Sequence, residues 1–200
     1  MTDIKGFLIV VVPIVLSPGV SLILAISNVS AMGLRGSLIV IAGTGVGLLV
    51  HGVVAGIGVS KFVSQSPFQM RVLNMVGVVF LVFMGVKQLL NSLRLFGSKT
   101  VFKERVVGFK EALFPNVFNF KAILLYASVV PLFAGERMMG YFLLVMIHIL
   151  IMASWILFVC YFLALAGRRF DLNYLGRFVN IVGGLFLIFV AGNAANVMFN

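Results

Sequence analysis

Residues 71–87, RVLNMVGVVFLVFMGVK, recur in altered form at residues 177–193 as RFVNIVGGLFLIFVAGN, with identity at 7 of the 17 aligned places. Each copy closes a set of three long apolar runs, so the chain reads as a duplicated three-span unit. An odd number of membrane crossings per unit forces the second copy into the opposite orientation. Inverted repeats of this kind are a common ground plan of small-solute transporters.

Composition supports the membrane reading. With 62% hydrophobic and 10% charged residues and a mean hydropathy of +1.20, the chain has too little polar surface to clothe a soluble core. The expected fold is an all-α integral membrane protein, a single membrane domain over 1–200. The net charge of +10 does not point to nucleic acid, because Lys and Arg stand singly or in short clusters between apolar runs and read as topology signals. Cys160, the one cysteine, excludes an internal disulfide and a dithiol redox carrier.

Six transmembrane helices are expected, over Ile4 to Asn28, Ser37 to Ser60, Arg71 to Asn91, Phe109 to Phe133, Met138 to Leu165 and Phe178 to Val197. Each is long enough for the ~20 residues that a bilayer core requires. The first run is not read as a signal peptide, being too long for one and carrying Pro18-Gly19 in its middle. Repeat one spans 4–91 and repeat two 108–198, joined by the basic linker 92–107, SLRLFGSKTVFKERVV. Lys5, Lys61, Arg71 and Arg137 fall on one side of the membrane. Arg35, Lys87, Arg94, Lys99, Lys103, Arg105, Lys110, Arg168, Arg169 and Arg177 fall on the other. The positive-inside rule places the second set in the cytoplasm, so both termini of this multi-pass cell (inner) membrane protein are expected outside, with the linker against anionic lipid.

The second span holds Gly36, Gly43, Gly45, Gly47, Gly52, Gly56 and Gly58, and Gly43, Gly47, His51 and Ala55 share one helical stripe. A neighbouring helix can approach such a stripe closely, within one subunit or in a homo-oligomer.

The chemistry concentrates where helices should break. Ser17-Pro18-Gly19 interrupts span one, and Phe114-Pro115-Asn116-Val117-Phe118-Asn119-Phe120-Lys121 interrupts span four. Pro18 alone reads equally well as a passive kink, whereas corresponding breaks in two repeats point to a binding site at their interface. Lys121 lies 12 residues from either end of its span, or ~18 Å along a continuous helix, too far to snorkel. Burying that charge costs at least ~2.5–3.5 kcal/mol, and no Asp or Glu lies deep in any span. The substrate's own anionic group is one candidate partner. Carbonyls freed by a break at Pro115 are the other.

His51 and His148 are the proton-coupling candidates, since imidazole titrates near neutrality and no buried carboxylate competes for the role. Helix packing is the alternative for each. Their separation of 97 also aligns 16–25 with 113–122, while an offset of 102 superposes Pro13 on Pro115, which leaves the register of the repeat open. Two histidines in separate spans do not make a metal site, and no cofactor is expected.

SPG in span one, GLLVHGVVAGIG, NMVGVVFLVFMGVKQLL and GFKEALFPNVFNFKAILLYASVVPLF together resemble the LysE/RhtB family of amino-acid exporters over nearly the whole chain. That family has a Pro-Gly-Pro-Asn run in its first helix and an Asn-x-x-Asn-Pro-Lys-Ala run in its fourth. This chain keeps Pro18, Gly19, Asn116, Asn119, Lys121 and Ala122 and departs at Val20, Ser21 and Phe120. The resemblance implies export of amino acids or close derivatives from the cytoplasm, driven by the proton gradient or membrane potential. The residues suggest how. The substrate carboxylate pairs with Lys121 and with backbone N–H groups at a half-helix N-terminus, while Asn116, Asn119 and carbonyls near Ser17-Pro18 take the amino group. The two repeats then rock about the site to give alternating access. The competing readings are an exporter of inorganic ions, for which the spans lack clustered carboxylates, thiolates or imidazoles, and a non-transporting scaffold subunit. No constellation for intramembrane catalysis is present, so an enzyme is not expected.

Overall fold

The structure is a computed structural model that describes residues 2–63, 66–94, 106–135, 137–166 and 172–199. Residues 95–105 of the basic linker, with Lys99, Lys103 and Arg105, lie outside the described residues, as do Arg168 and Arg169.

The protein is all-α. Among the described residues, four unbroken helices are long and apolar enough to cross a membrane: α3 (Leu34–Val63), α4 (Pro67–Arg94), α8 (Met138–Ala166) and α9 (Leu172–Phe199). Two further spans are each a bent pair. The first consists of α1 (Ile4–Leu16) and α2 (Val20–Met32), which meet at 50°. In the second, α5 (Phe109–Val117) meets the stretch Phe120–Ala134 at 49°. That stretch comprises α6 (Phe120–Leu124), a π-helical turn (Leu125–Val129) and α7 (Val130–Ala134). Six crossings result when each bent pair counts as one, in the order and close to the limits that the apolar runs imply.

Local chemistry explains both bends. Ser17 precedes a proline, which disfavours the α region, and it is extended at φ −60°, ψ 125°. Gly19 is extended too, at the N-cap of α2. In the second pair the expected break at Pro115 falls instead at Phe118 and Asn119. Pro115 removes one helical donor inside α5, but the chain leaves the helix three residues later, where the Asn119 side chain accepts the Lys121 N–H at 3.0 Å and caps α6. The two caps, Gly19 and Asn119, therefore stand 100 positions apart, between the two registers that the sequence leaves open. Pro131 has a similar local effect further on. Its ring opposes the carbonyl of Ala127 and it has no N–H. The preceding turn widens, and the Val130 N–H bonds to Leu125, five residues back.

The glycines of α3 determine what packs against it. A Cβ on Gly43 would stand 2.7 Å from the Phe109 carbonyl oxygen and one on Gly47 2.9 Å from the Asn116 Cβ, so α5 lies directly on this stripe. Gly52 and Gly56 face Val145 and Met138 of α8 in the same way. The stripes are thus used within the chain. The matching helices α4 and α9 pair antiparallel, with Gly85 and Gly184 at their crossing, where a Cβ on Gly85 would meet the Gly184 oxygen at 2.8 Å.

Both ends of the cleft between the bent pairs are tied. At one end Asn28, fully buried, donates to the carbonyls of Gly36 and Val107, each at 2.9 Å, and accepts the Val107 N–H at 2.6 Å. At the other, Asp3 N–H donates to the Phe133 carbonyl at 2.8 Å, Thr2 Oγ1 donates to the Ala134 carbonyl at 3.0 Å, and the rings of Phe7 and Phe133 meet edge to face.

Gly43→Val should drive two methyls into the α5 backbone and destabilise the fold by about 1–3 kcal/mol or more. Gly58→Ala, with nothing within 4 Å of the added Cβ, should leave stability unchanged. Thermal unfolding of the two variants in detergent checks the pair.

Candidate functional site

Pro18 has no N–H to give to the carbonyl four residues before it, that of Ile14. Lipid offers no substitute donor, so a donor must come from within the protein. Lys121 supplies it: its Nζ donates to the Ile14 oxygen. The carbonyl that holds the ammonium is thus the one freed by Pro18 in the other repeat, and not one freed by Pro115. An ammonium carries three hydrogens, so this contact leaves capacity for more acceptors.

The two breaks flank a cavity of about 80 Å³. Of the residues singled out in the sequence, Ser17, Gly19, Asn116, Asn119, Lys121 and His148 line it. Pro18 and His51 do not, although each acts one bond away: Pro18 through the carbonyl it frees, His51 through Asn116. No carboxylate lines the cavity, and among the described residues no three of His, Cys, Asp and Glu come together. Further parts of the wall come from Thr44 and Leu48 of α3, Leu125 of the π-helical turn, Met152, Trp155 and Ile156 of α8, and Val20 and Ser21 of α2.

Asn116 is a junction. Its amide donates to Thr44 Oγ1 and to the Ala112 carbonyl, each at 3.0 Å, and its Oδ1 accepts from Ser21 Oγ at 3.1 Å. Its backbone carbonyl accepts from the Asn119 N–H at 3.1 Å and from His51 Nε2 at 2.9 Å. Both amide hydrogens are therefore spent within the protein, and the residue ties α2, α3 and α5 together. A carbonyl can only accept, so the His51 proton sits on Nε2.

Tyr126 stands between the two histidines. Its ring stacks on His51 at 5.9 Å and on His148 at 5.8 Å, and its hydroxyl bonds His148 Nδ1 at 3.0 Å. Tyr126 is 2% exposed. The buried phenol hydrogen has Nδ1 as its acceptor, which leaves His148 with its own proton on Nε2. The wide turn that Pro131 imposes carries Tyr126 into this stack.

The departures from the family pattern separate by position. Ser21 sits in the Asn116 network and Val20 on the cavity wall. Phe120 points away, 59% exposed and edge-on to Phe83 at 6.5 Å. It occupies the first position after a helix cap, where proline is also accommodated.

Thr44, Tyr126, Met152 and Trp155 are the members of this constellation that the sequence reading does not single out. A signal exists for the α8 pair: His148, Met152, Trp155 and Ile156 fall at i, i+4, i+7 and i+8, one face of a helix. Thr44, Leu48 and His51 share a face of α3 in the same way. Asn116→Ala should lower stability by about 1–2 kcal/mol, at a typical ~0.6 kcal/mol per interhelical bond in a membrane. Thermal melts of purified protein read this directly.

A family model described as LysE type translocator matches residues 12–196 of the chain. Among curated proteins, an uncharacterized membrane protein of Vibrio cholerae serotype O1 is 29% identical over 129 residues, 64% of this chain and 63% of that protein. Homoserine/homoserine lactone efflux proteins of Salmonella typhimurium and Salmonella typhi are each 31% identical over 125 residues, 59% of this chain and 58% of theirs. The chain thus matches less than two thirds of the length of these relatives. No solved structure matches it.

Proposed function

Because the chain belongs to the LysE type translocator family, whose members are translocators and not enzymes, we propose that it exports amino acids or close derivatives from the cytoplasm. The observation that carries this reading is the cavity between the two helix breaks, with its single cation, Lys121, and no carboxylate on its wall. A buried ammonium without a counter-ion is costly. A substrate carboxylate bound to Lys121 offsets that cost at the moment of binding, and two curated relatives are named for efflux of homoserine and homoserine lactone. The amino group goes to neutral oxygens at the breaks: the Ser17 hydroxyl, the second lone pair of Asn116 Oδ1 and the Asn119 side chain.

The tied ends of the cleft support a reading of alternating access. One tie joins Asn28 to Val107, the other Asp3 and Thr2 to Phe133 and Ala134. Each consists of a few hydrogen bonds between the two bent pairs. Release of the Asn28 tie opens the cavity to the cytoplasm, and release of the other opens it outward, as two inverted repeats rock about the Lys121 contact. The antiparallel pairing of α4 with α9 is the arrangement that such repeats would adopt. His148 on the cavity wall and His51 behind Asn116 serve proton coupling, linked through the Tyr126 ring.

The test is efflux from cells preloaded with labelled amino acids, comparing the chain with Lys121→Ala at matched membrane expression. Selective efflux that falls at least tenfold in the variant is expected. Equal efflux from both, or none from the unaltered chain, overturns the reading.

A further inference from the structure

Gln88 is 1% exposed and stands on α4 just beyond Gly85, where that helix crosses α9. Its side chain is a poor device for stability. Nε2 donates to the Pro13 carbonyl of α1 at 3.3 Å, long for such a bond, while Oε1 is buried without a hydrogen-bond partner. That oxygen lies against Gly183 of α9, where a Cβ would stand 2.6 Å from it. A carbonyl can only accept, so the amide cannot turn round to satisfy its own oxygen. One long bond and one orphaned acceptor roughly cancel, and the group calls for another explanation.

The explanation lies one residue along the chain. The Pro13 carbonyl receives Gln88 from α4 and the Ser17 N–H from the break, each at 3.3 Å, and the next carbonyl, that of Ile14, receives Lys121. Pro18 leaves the last turn of α1 short of helical donors, so its carbonyls are fixed by what reaches them from other helices. The recurring segment adds a second indication. Gly77 and Gly183 hold the same place in 71–87 and 177–193. Each lays its helix on a carbonyl of the other repeat's broken span, Gly183 on Pro13 and Gly77 on Ser128, with 3.5 Å from an added Cβ to the oxygen in both. The glutamine is not repeated. Ala194 stands where Gln88 would recur, so the polar tie falls on the one broken span whose carbonyl meets Lys121.

We propose that Gln88, wedged between Gly183 and the Pro13 carbonyl, is a positioning residue that fixes the end of α1 so that the Ile14 carbonyl meets Lys121. This rests on the export reading, in which Lys121 binds the substrate, and extends it to helices that do not line the cavity. Through this one amide, α4 and α9 act on the site.

Solid-state magnetic resonance on the full chain in bilayers reads the Lys121–Ile14 contact with no substrate present. Lysine side chains carry ¹⁵N, isoleucine carbonyls carry ¹³C, and Lys121→Met identifies the signal. Gln88→Leu keeps apolar bulk and removes the amide, so the dipolar coupling should fall by about half or more as a hydrogen-bonded distance becomes a broken one. Its melting temperature should change little, since an unpaired buried acceptor is removed along with the donor. Gly183→Ala keeps Gln88 but puts a methyl where Oε1 lies, and it should lose the coupling in the same way. The double variant should lose no more than either alone, because both act through one amide. Efflux of labelled amino acids from preloaded cells, at matched expression, should fall about threefold or more in all three variants, as expected for a misplaced binding group. A coupling that keeps its strength in both single variants, losses that add in the double variant, or full efflux despite a lost coupling would overturn the proposal. Absence of efflux by the unaltered chain would overturn the export reading beneath it and leave the Gln88 contact as a feature of the fold.

Discussion

The carbonyl of Ile14 and the ammonium of Lys121 are each untenable alone in a membrane, and the centre of this structure depends on their meeting. A carbonyl stripped of its helical donor costs several kcal/mol in hydrocarbon, and an isolated ammonium costs at least as much. Pro18 creates the first problem in one half of the chain, and Lys121 creates the second in the other half. Their contact draws the two bent spans together at their breaks, and the cavity lies where they meet. A carbonyl dipole satisfies one hydrogen of a cation without neutralising it, so the cavity keeps a positive charge available for a ligand.

Around that contact the hydrogen bonds gather where the sequence is most polar. Asn116 spends its amide hydrogens on Thr44 and Ala112 and receives Ser21 and His51, so α2, α3 and α5 are fixed relative to one another. The glycines at 43 and 47 make this possible by letting α5 reach α3 at backbone distance. The stack of His51, Tyr126 and His148 extends this network and joins α3 to α8 through the π-helical turn. The cleft ends are tied by fewer bonds, located at helix termini where backbone groups have no intrahelical partner.

Most of the fold is legible in the sequence because the membrane leaves few options. Six apolar runs become four long helices and two bent helix pairs. The broken spans are marked by Pro18-Gly19 and by the polar run from Pro115 to Lys121, and Lys121 is conspicuous because a mid-span charge has no trivial explanation. The exact place of the second break is not legible, since Pro115 is the stronger breaker in isolation, yet the Asn119 cap decides where the helix restarts. Nor is the partner of Lys121. That depends on which carbonyl across the cavity lacks a donor, a tertiary fact that local propensity does not contain. Asn116 looks in sequence like a substrate ligand of the same rank as Lys121, whereas its amide hydrogens are consumed by the scaffold. Tyr126 and Trp155 pass unnoticed among many aromatics because hydropathy hides their polar atoms. Helical spacing from His148 is the one clue that leads to Trp155.

The account turns on a carboxylate reaching Lys121, and a solid-state magnetic-resonance distance tests that most directly. Protein labelled with ¹⁵N at lysine side chains is reconstituted in bilayers and saturated with amino acids labelled with ¹³C at the carboxylate, with Lys121→Met as the blank. A dipolar coupling that corresponds to hydrogen-bond contact, present in the unaltered chain and lost in the blank, is the predicted result. Labelled amino acids that bind with no coupling to Lys121 would contradict the account.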